Sequence, residues 1–282
     1  MSDFHIDMHM HSTASDGTLS PRELAHACKN AGLEYCALTD HDTVDGVRDY
    51  IDEAKKLGLH ALPAIEFSTQ YDGELHILGY GIDIDNEEFK NELDYLASTR
   101  ELRVHKMVKK LDDAGYHITV DRVREIAGQG VMGRPHIGAA LAEKGYCKDV
   151  SDAFKRFLSK GCPGYIERHC ITSERAISLI KTAGGIAVFA HPGITNDPDT
   201  PALVDRLVSE GISGIEVYYP THTDEQISQY LALAKSHGLY VTCGSDFHGV
   251  TRRTATIGCE KRGDLDMKKS VIQIFDIFRH LH

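Results

Sequence analysis

In the opening stretch Phe4-His5-Ile6-Asp7-Met8-His9-Met10-His11, apolar residues alternate with His and Asp, so an extended chain puts His9 and His11 on one face. Asp16 follows in a Ser/Asp/Gly loop. Further polar clusters come at Thr39-Asp40-His41-Asp42, Glu66, His76, Phe189-Ala190-His191-Pro192 and Ser245-Asp246-Phe247-His248. Imidazole is the commonest metal ligand, and mixed imidazole and carboxylate donors suit Mn, Fe or Zn. Each cluster alone has a plainer explanation. An H-x-H pair can sit on a solvated strand face, Asp40 and Asp42 can cap helices, and a single histidine such as His76 is more often a surface or satisfied core residue than a ligand. Those explanations do not account for every cluster falling at the end of a strand, whereas a single shared metal site does. Seventeen of the 282 residues are histidine, which points the same way.

The elements that must carry these groups alternate. Strand Phe4 to His11 is followed by Ser20-Pro21-Arg22-Glu23, a capping box with Pro at the first helical position, and a helix ending at Gly32. The unit repeats with strand Tyr35 to Thr39, helix Val44 to Leu57 and strand Ala61 to Glu66, then a hairpin through Asp72-Gly73 into Leu75 to Tyr80. Residues 86–169 read as helices only: Glu87 to Asp113, Val120 to Ala127, Pro135 to Lys144 and Val150 to Ser159. From Ser173 alternation resumes: helix to Ala183, strand Ile186 to Ala190, helix to Glu210, strand Gly214 to Tyr219, helix to Ser236 and strand Leu239 to Gly244. The expected fold class is α/β, a TIM-like barrel of some seven largely parallel strands built from residues 1–85 and 170–282, interrupted by a helical subdomain over 86–169. An open doubly wound sheet is the alternative, without a G-x-G-x-x-G to support a dinucleotide site.

A net charge of -11 argues against binding long nucleic acid, but a metal cluster can still attract a small anion locally. Seven scattered cysteines without a C-x-x-C pair read as reduced thiols rather than a zinc-thiolate site. The start Met1-Ser2-Asp3-Phe4-His5 has no basic and apolar leader, and no apolar run is long enough to span a bilayer. The expectation is a cytoplasmic protein that does not engage membranes. There is no G-x-x-x-x-G-K-[ST] loop and no G-x-S-x-G around Ser12 or Ser15, which argues against P-loop hydrolysis and a serine nucleophile.

Taken in order, Asp7-x-His9-x-His11-Ser12-x-x-Ser15-Asp16-Gly17, Thr39-Asp40-His41-Asp42, Glu66, His76, Ala190-His191-Pro192 and Gly244-Ser245-Asp246-x-His248 resemble the successive motifs of the PHP (polymerase and histidinol phosphatase) superfamily. The insertion with Gly133-Arg134-Pro135-His136 is similar to that of its nucleoside 3',5'-bisphosphate phosphatases and 5'-3' exoribonucleases. The resemblance implies a distorted seven-stranded barrel holding two or three divalent metals. His9, His11, Glu66 and Asp246 would hold one, Glu66 with His76 and His191 a second, and Asp16, His41 and His248 a third. Several relatives carry histidine at the place of Asp16, so the oxygen ligand here weakens a preference for zinc at the third site. The implied reaction is phosphate-ester hydrolysis with metal-bound hydroxide as nucleophile, the substrate a nucleoside 3',5'-bisphosphate or short RNA, with His41, Glu66 and His191 at the reacting centre.

Asp40 is either a proton carrier for the leaving group or the orienter of a ligand histidine. From Ser98 to His136 eight Lys and Arg face five acids, a local charge of +3. Most of these are expected on solvated helix faces, whereas Arg134, at a helix start beside Pro135, is placed to grip a second phosphate. Arg168, His222 and Ser12 are further candidate substrate contacts, and Tyr218 or Tyr219 can serve equally as core. The competing functions are a metal-dependent amidohydrolase, a phosphatase of another small ester such as histidinol phosphate, and a metal-binding module without catalysis.

Overall fold

A computed structural model of the chain describes residues 5–128, 131–251, 255–258 and 263–279; Met1 to Phe4 and Cys259 lie outside them. The described chain divides into two compact units, Met1–Asn91 with Ile171–His282, and Glu92–Cys170. Among the described residues, no helix is long and apolar enough to cross a membrane.

In the first unit seven strands form one sheet in sequence order: β1 (Ile6–Asp7), β2 (Tyr35–Leu38), β3 (His60–Ser68), β4 (His76–Tyr80), β5 (Ile186–Phe189), β6 (Gly214–Tyr218) and β7 (Tyr240–Cys243). The sheet curls back on itself: Met8 N–H donates to Cys243 O at 3.0 Å, and His11 N–H to Phe247 O at 2.9 Å. All neighbours are parallel except β4, which runs antiparallel to both β3 and β5. The short Asp72-Gly73 connection explains the exception, because a parallel return needs a crossover of a dozen residues or more. The reversal brings His76, the first residue of β4, level with Ser68, the last of β3.

Helices α1 (Pro21–Asn30), α2 (Val47–Lys56), α7 (Ser173–Thr182), α8 (Pro192–Thr195), α9 (Thr200–Glu210), α10 (Asp224–His237) and α11 (Leu265–Ile277) belong to this unit, and α3 (Glu87–Asp113) begins in it. Ser20 and Glu23 close the capping box that starts α1, and Thr223 and Gln226 do the same for α10. Beneath β1 and β2, Met10, Leu24, Cys28, Leu38 and Tyr50 form a dry cluster that fixes the floor of the rim. The second unit adds α4 (Val120–Ala127), α5 (Arg134–Glu143) and α6 (Val150–Ala153), packed around Met107, Leu111, Ile137, Leu141 and Phe157.

The differences from the sequence expectation have local causes. The first strand is only two residues long because the backbone beyond it pairs with loops: Met10 bridges Phe247, and Thr39 N–H donates to Met10 O. The helix expected up to Glu210 breaks at Asn196, which is left-handed at φ 48°, between α8 and the Asp199 cap of α9. The segment expected to be helical to Ser159 continues from α6 as a π-turn over Phe154–Leu158. Helix α11 was not expected from the sequence.

Candidate metal centre

His9 and His11 leave β1 toward β3 and β7. His9 Nε2 stands 3.2 Å from Glu66 Oε2 and 3.6 Å from Asp246 Oδ1, and His11 Nε2 stands 3.2 Å and 3.1 Å from the same oxygens. All four residues are buried. On the other side of Glu66, His41 Nδ1 lies 3.0 Å from Oε2, while His76 Nδ1 and His191 Nε2 lie 2.8 Å and 3.0 Å from Oε1. His248 Nε2 is 3.2 Å from Asp16 Oδ1, with His11 Nδ1 at 3.9 Å from that oxygen. The donor atoms thus gather into three sets, His9/His11/Glu66/Asp246, His41/Glu66/His76 and His11/Asp16/His41/His248, each within 4.8 Å. Glu66, His11 and His41 each belong to two of them. His41, expected in one set only, also joins Glu66 and His76, and His191 packs beside that pair at 3.3 Å from His76.

These residues fit divalent cations. His9 Nε2, both ring nitrogens of His11 and Glu66 Oε2 are buried with no hydrogen-bond partner among the described residues, a condition that polar atoms rarely tolerate unless something else binds them. Burial works against the His11 imidazolium, but Asp246 and Glu66 outweigh it and hold its pKa up at about 10. Burial likewise opposes charge on His9, and the carboxylates of Glu66, Glu216 and Asp246 carry its pKa well above the ordinary value. His41 is the opposite case: burial dominates its nearby carboxylates and pushes it down to about 3, so it presents a neutral ring.

Three non-glycine residues of the rim adopt left-handed backbone: Asp42 at φ 51°, His191 at φ 26° and Asp246 at φ 53°. Such conformations cost about 1–3 kcal/mol each, so the surroundings must hold them. Asp42 accepts the Ser68 N–H, Asp246 donates its own N–H to His9 O, and His191 N–H donates to Glu216. Tyr219 O–H donates to Asp246 Oδ2 at 2.7 Å, which leaves Oδ1 turned toward His11. Tyr219→Phe is accordingly expected to keep the fold while weakening metal binding at the His9/His11 position about 10-fold, the low end for loss of a group that orients a ligand. Titration with Zn2+ followed by calorimetry checks this; unchanged affinity would leave Tyr219 as core only.

Three sequence-predicted residues are engaged in contacts that hold loops and strand ends in place. Both oxygens of buried Asp40 are engaged with Ser12 and Ser15, including Ser12 Oγ–H at 2.6 Å and Ser12 N–H at 2.8 Å. It braces the loop after β1. The Ser12 hydroxyl also accepts the Ala14 N–H and is fully buried, so it helps to hold the loop. His222 commits one ring nitrogen to Val217 O at 2.8 Å and the other to Gly193 N–H at 3.1 Å, bracing α8 against the bulge in β6.

Glu216 and Asp7 are the carboxylates whose roles the sequence reading missed. Glu216 sits at the centre of β6 against His9, and Asp7 accepts N–H groups from Ser245 and Gly258, its pKa raised to about 6 by burial. A charge inside Gly214-Ile215-Glu216-Val217-Tyr218, an otherwise apolar strand, was the signal available for Glu216.

The model of the PHP domain matches residues 7–163, more than half of the chain. The chain belongs to the PHP domain family. This PHP protein is 33% identical over 250 residues to the 3',5'-nucleoside bisphosphate phosphatase of Chromobacterium violaceum, covering 86% of this chain and 87% of the relative. It is 32% identical over 247 residues to the 5'-3' exoribonuclease Rnm of Escherichia coli, covering 86% and 84%. A solved metal-dependent phosphoesterase of Bifidobacterium adolescentis superposes with a TM-score of 0.84 at 30% identity, over 97% of both chains. The family and the donor set agree: this PHP protein is a metal-dependent phosphoesterase with an α/β barrel.

Proposed function

We propose that the substrate is a nucleoside 3',5'-bisphosphate, cleaved by water to the 5'-monophosphate and phosphate, with short RNA accepted from its 5' end as a related substrate. The observation that carries this is a cationic cluster in the helical unit, in a protein whose overall charge is -11. Arg103, on α3, is partly buried and donates from Nε to Ile166 O at 2.8 Å. Burial, and then repulsion from Arg134 and Arg168, lowers its pKa to about 10. Three guanidinium groups drawn together against their own repulsion suit a phosphate, which can accept from their planar forks. Arg134 is also the first residue of α5, where the helix dipole favours an anion, and its guanidinium lies 5.1 Å over the Phe154 ring. The names of the phosphatase and exoribonuclease relatives support the same substrate class.

In this reading the metal centre of the barrel unit cleaves the phosphate ester, and Arg134, with Arg168 and Arg103, forms a phosphate-binding cluster of the helical unit. His9, His11, Glu66 and Asp246 would hold one ion, Glu66, His76, His41 and His191 a second, and Asp16, His41, His248 and His11 a third. When bound, the ions supply positive charge to the phosphoryl oxygens and acidify a water. The chain's own residues do the rest: Glu66 and His191 fix the reacting end, and His41 offers a ring that carries no proton.

Arg134→Ala tests the assignment. It is expected to leave metal content and folding intact while lowering kcat/KM for a nucleoside 3',5'-bisphosphate roughly 30- to 150-fold, the equivalent of about 2–3 kcal/mol for a charge-assisted contact. Hydrolysis of a generic monophosphate ester should change far less. Equal losses on both substrates, together with a lower Tm, would instead make Arg134 a brace of the helical unit. Parallel assays on histidinol phosphate and on an amide substrate separate the competing chemistries.

A further inference from the structure

Glu216 lies at the middle of β6 with no exposed surface. Its Oε1 and Oε2 stand 3.1 Å and 3.3 Å from His9 Nδ1, and Oε2 also accepts the His191 backbone N–H at 2.8 Å. No Lys or Arg appears among these contacts, so the carboxylate's partners are two histidines that follow different strands. Space for the arrangement is made by Gly244 at the end of β7, where a Cβ would collide with His9 Cβ and Glu216 Oε1. His9 Nε2, the ring's other nitrogen, is buried, has no hydrogen-bond partner among the described residues and is aimed at Glu66 and Asp246.

We propose that Glu216 is a positioning residue that ties the first metal position to the second, locking the His9 ring with its proton on Nδ1 so that only Nε2 can bind metal, and holding the His191 backbone in its left-handed turn. The inference rests on the metal reading of the centre and not on the choice of substrate. A carboxylate acts on both because it has two acceptor oxygens and no proton to donate. Oε1 takes the His9 ring N–H while Oε2 takes the His191 amide, so a displacement of one histidine is felt by the other. An amide of the same shape cannot do this. Glutamine has one acceptor oxygen, and its NH2 must face either the His191 N–H or His9 Nδ1; in the second case the ring proton moves to Nε2 and blocks the metal.

That contrast gives a test that a packing role would not pass. In Glu216→Gln the volume is kept, so the metal-free variant should fold with a Tm within a few degrees of the parent. Its affinity for Zn2+ by calorimetry should fall about 10- to 100-fold, the range for losing a group that orients a ligand histidine. Glu216→Asp, which keeps both acceptors on a shorter stem, should recover part of the loss. Independently of any variant's folding, 15N NMR of the zinc-loaded parent should show the His9 ring, assigned by the signal lost in His9→Asn, protonated at Nδ1. A ring protonated at Nε2, or a folded Glu216→Gln with parental zinc affinity, overturns the proposal. A parent that binds no zinc at all overturns the metal reading and this inference with it, whereas failure of the bisphosphate assay leaves both untouched.

Discussion

Glu66→Gln should lower kcat/KM by on the order of 10^3-fold and strip metal from two positions at once. Glu66 is shared by the His9/His11/Asp246 set and the His41/His76 set, and both its oxygens are used. The amide preserves shape and one acceptor but removes the negative charge, leaving His9, His11, His41, His76 and His191 without the carboxylate that all five face. Breaking a buried charge network in this way costs about 3–5 kcal/mol, and 4 kcal/mol is close to three powers of ten in rate. Metal analysis after dialysis and steady-state kinetics read the two losses together. Full metal content with activity within tenfold of the parent would show that Glu66 is not a shared ligand.

Metal uptake at the His9/His11 position should release about two protons near neutral pH, and its affinity should rise on the order of 10^3- to 10^4-fold between pH 6.5 and 8.5. The sign follows from the metal-free protein. His11 is held protonated up to about pH 10 and His9 well above its ordinary value, so each must give up a proton before its ring nitrogen can bind a cation. Raised values of this kind stabilise the metal-free fold fully below the unfolded histidine pKa. That contribution then fades as pH climbs through the folded value. Alkaline conditions thus weaken the proton-filled centre and favour the metal-filled one. His41, pushed down to about 3, contributes nothing to the proton count. Calorimetry in buffers of different ionisation enthalpy measures the released protons directly; an affinity that changes less than tenfold over the interval contradicts the scheme.

Much of this centre was legible because strand periodicity and residue type coincide. Alternation over Phe4 to His11 put His9 and His11 on one face before any coordinates, and the same logic placed Glu66, His191 and Asp246 at strand exits. Loop and hydrogen-bond detail was less accessible. Asp40, Ser12 and His222 have the right chemistry in the right neighbourhood, and only the directions of their bonds assign them to bracing. Asp42, His191 and Asp246 occupy backbone conformations usually left to glycine, which composition does not announce. The reversed β4 was foreshadowed by Asp72-Gly73, whereas the break of a long helix at Asn196 depended on one residue's φ. Glu216 was visible as a charge in an apolar strand, but its meaning needed the partner strands.

The seam where Met8 meets Cys243 and His11 meets Phe247 also sets when the centre can exist during synthesis. His9 and His11 precede Asp246 and His248 by more than 230 residues along the chain. At 5–20 residues per second the early ligands wait roughly 12–50 s for their partners. Until then the nascent chain carries imidazoles with only part of their ligand set, and β1 has no seventh strand to lie against. The full donor set is thereby deferred until residue 248 has been made, and a chain truncated before residue 246 carries most of the donors yet neither of the two that close the ring.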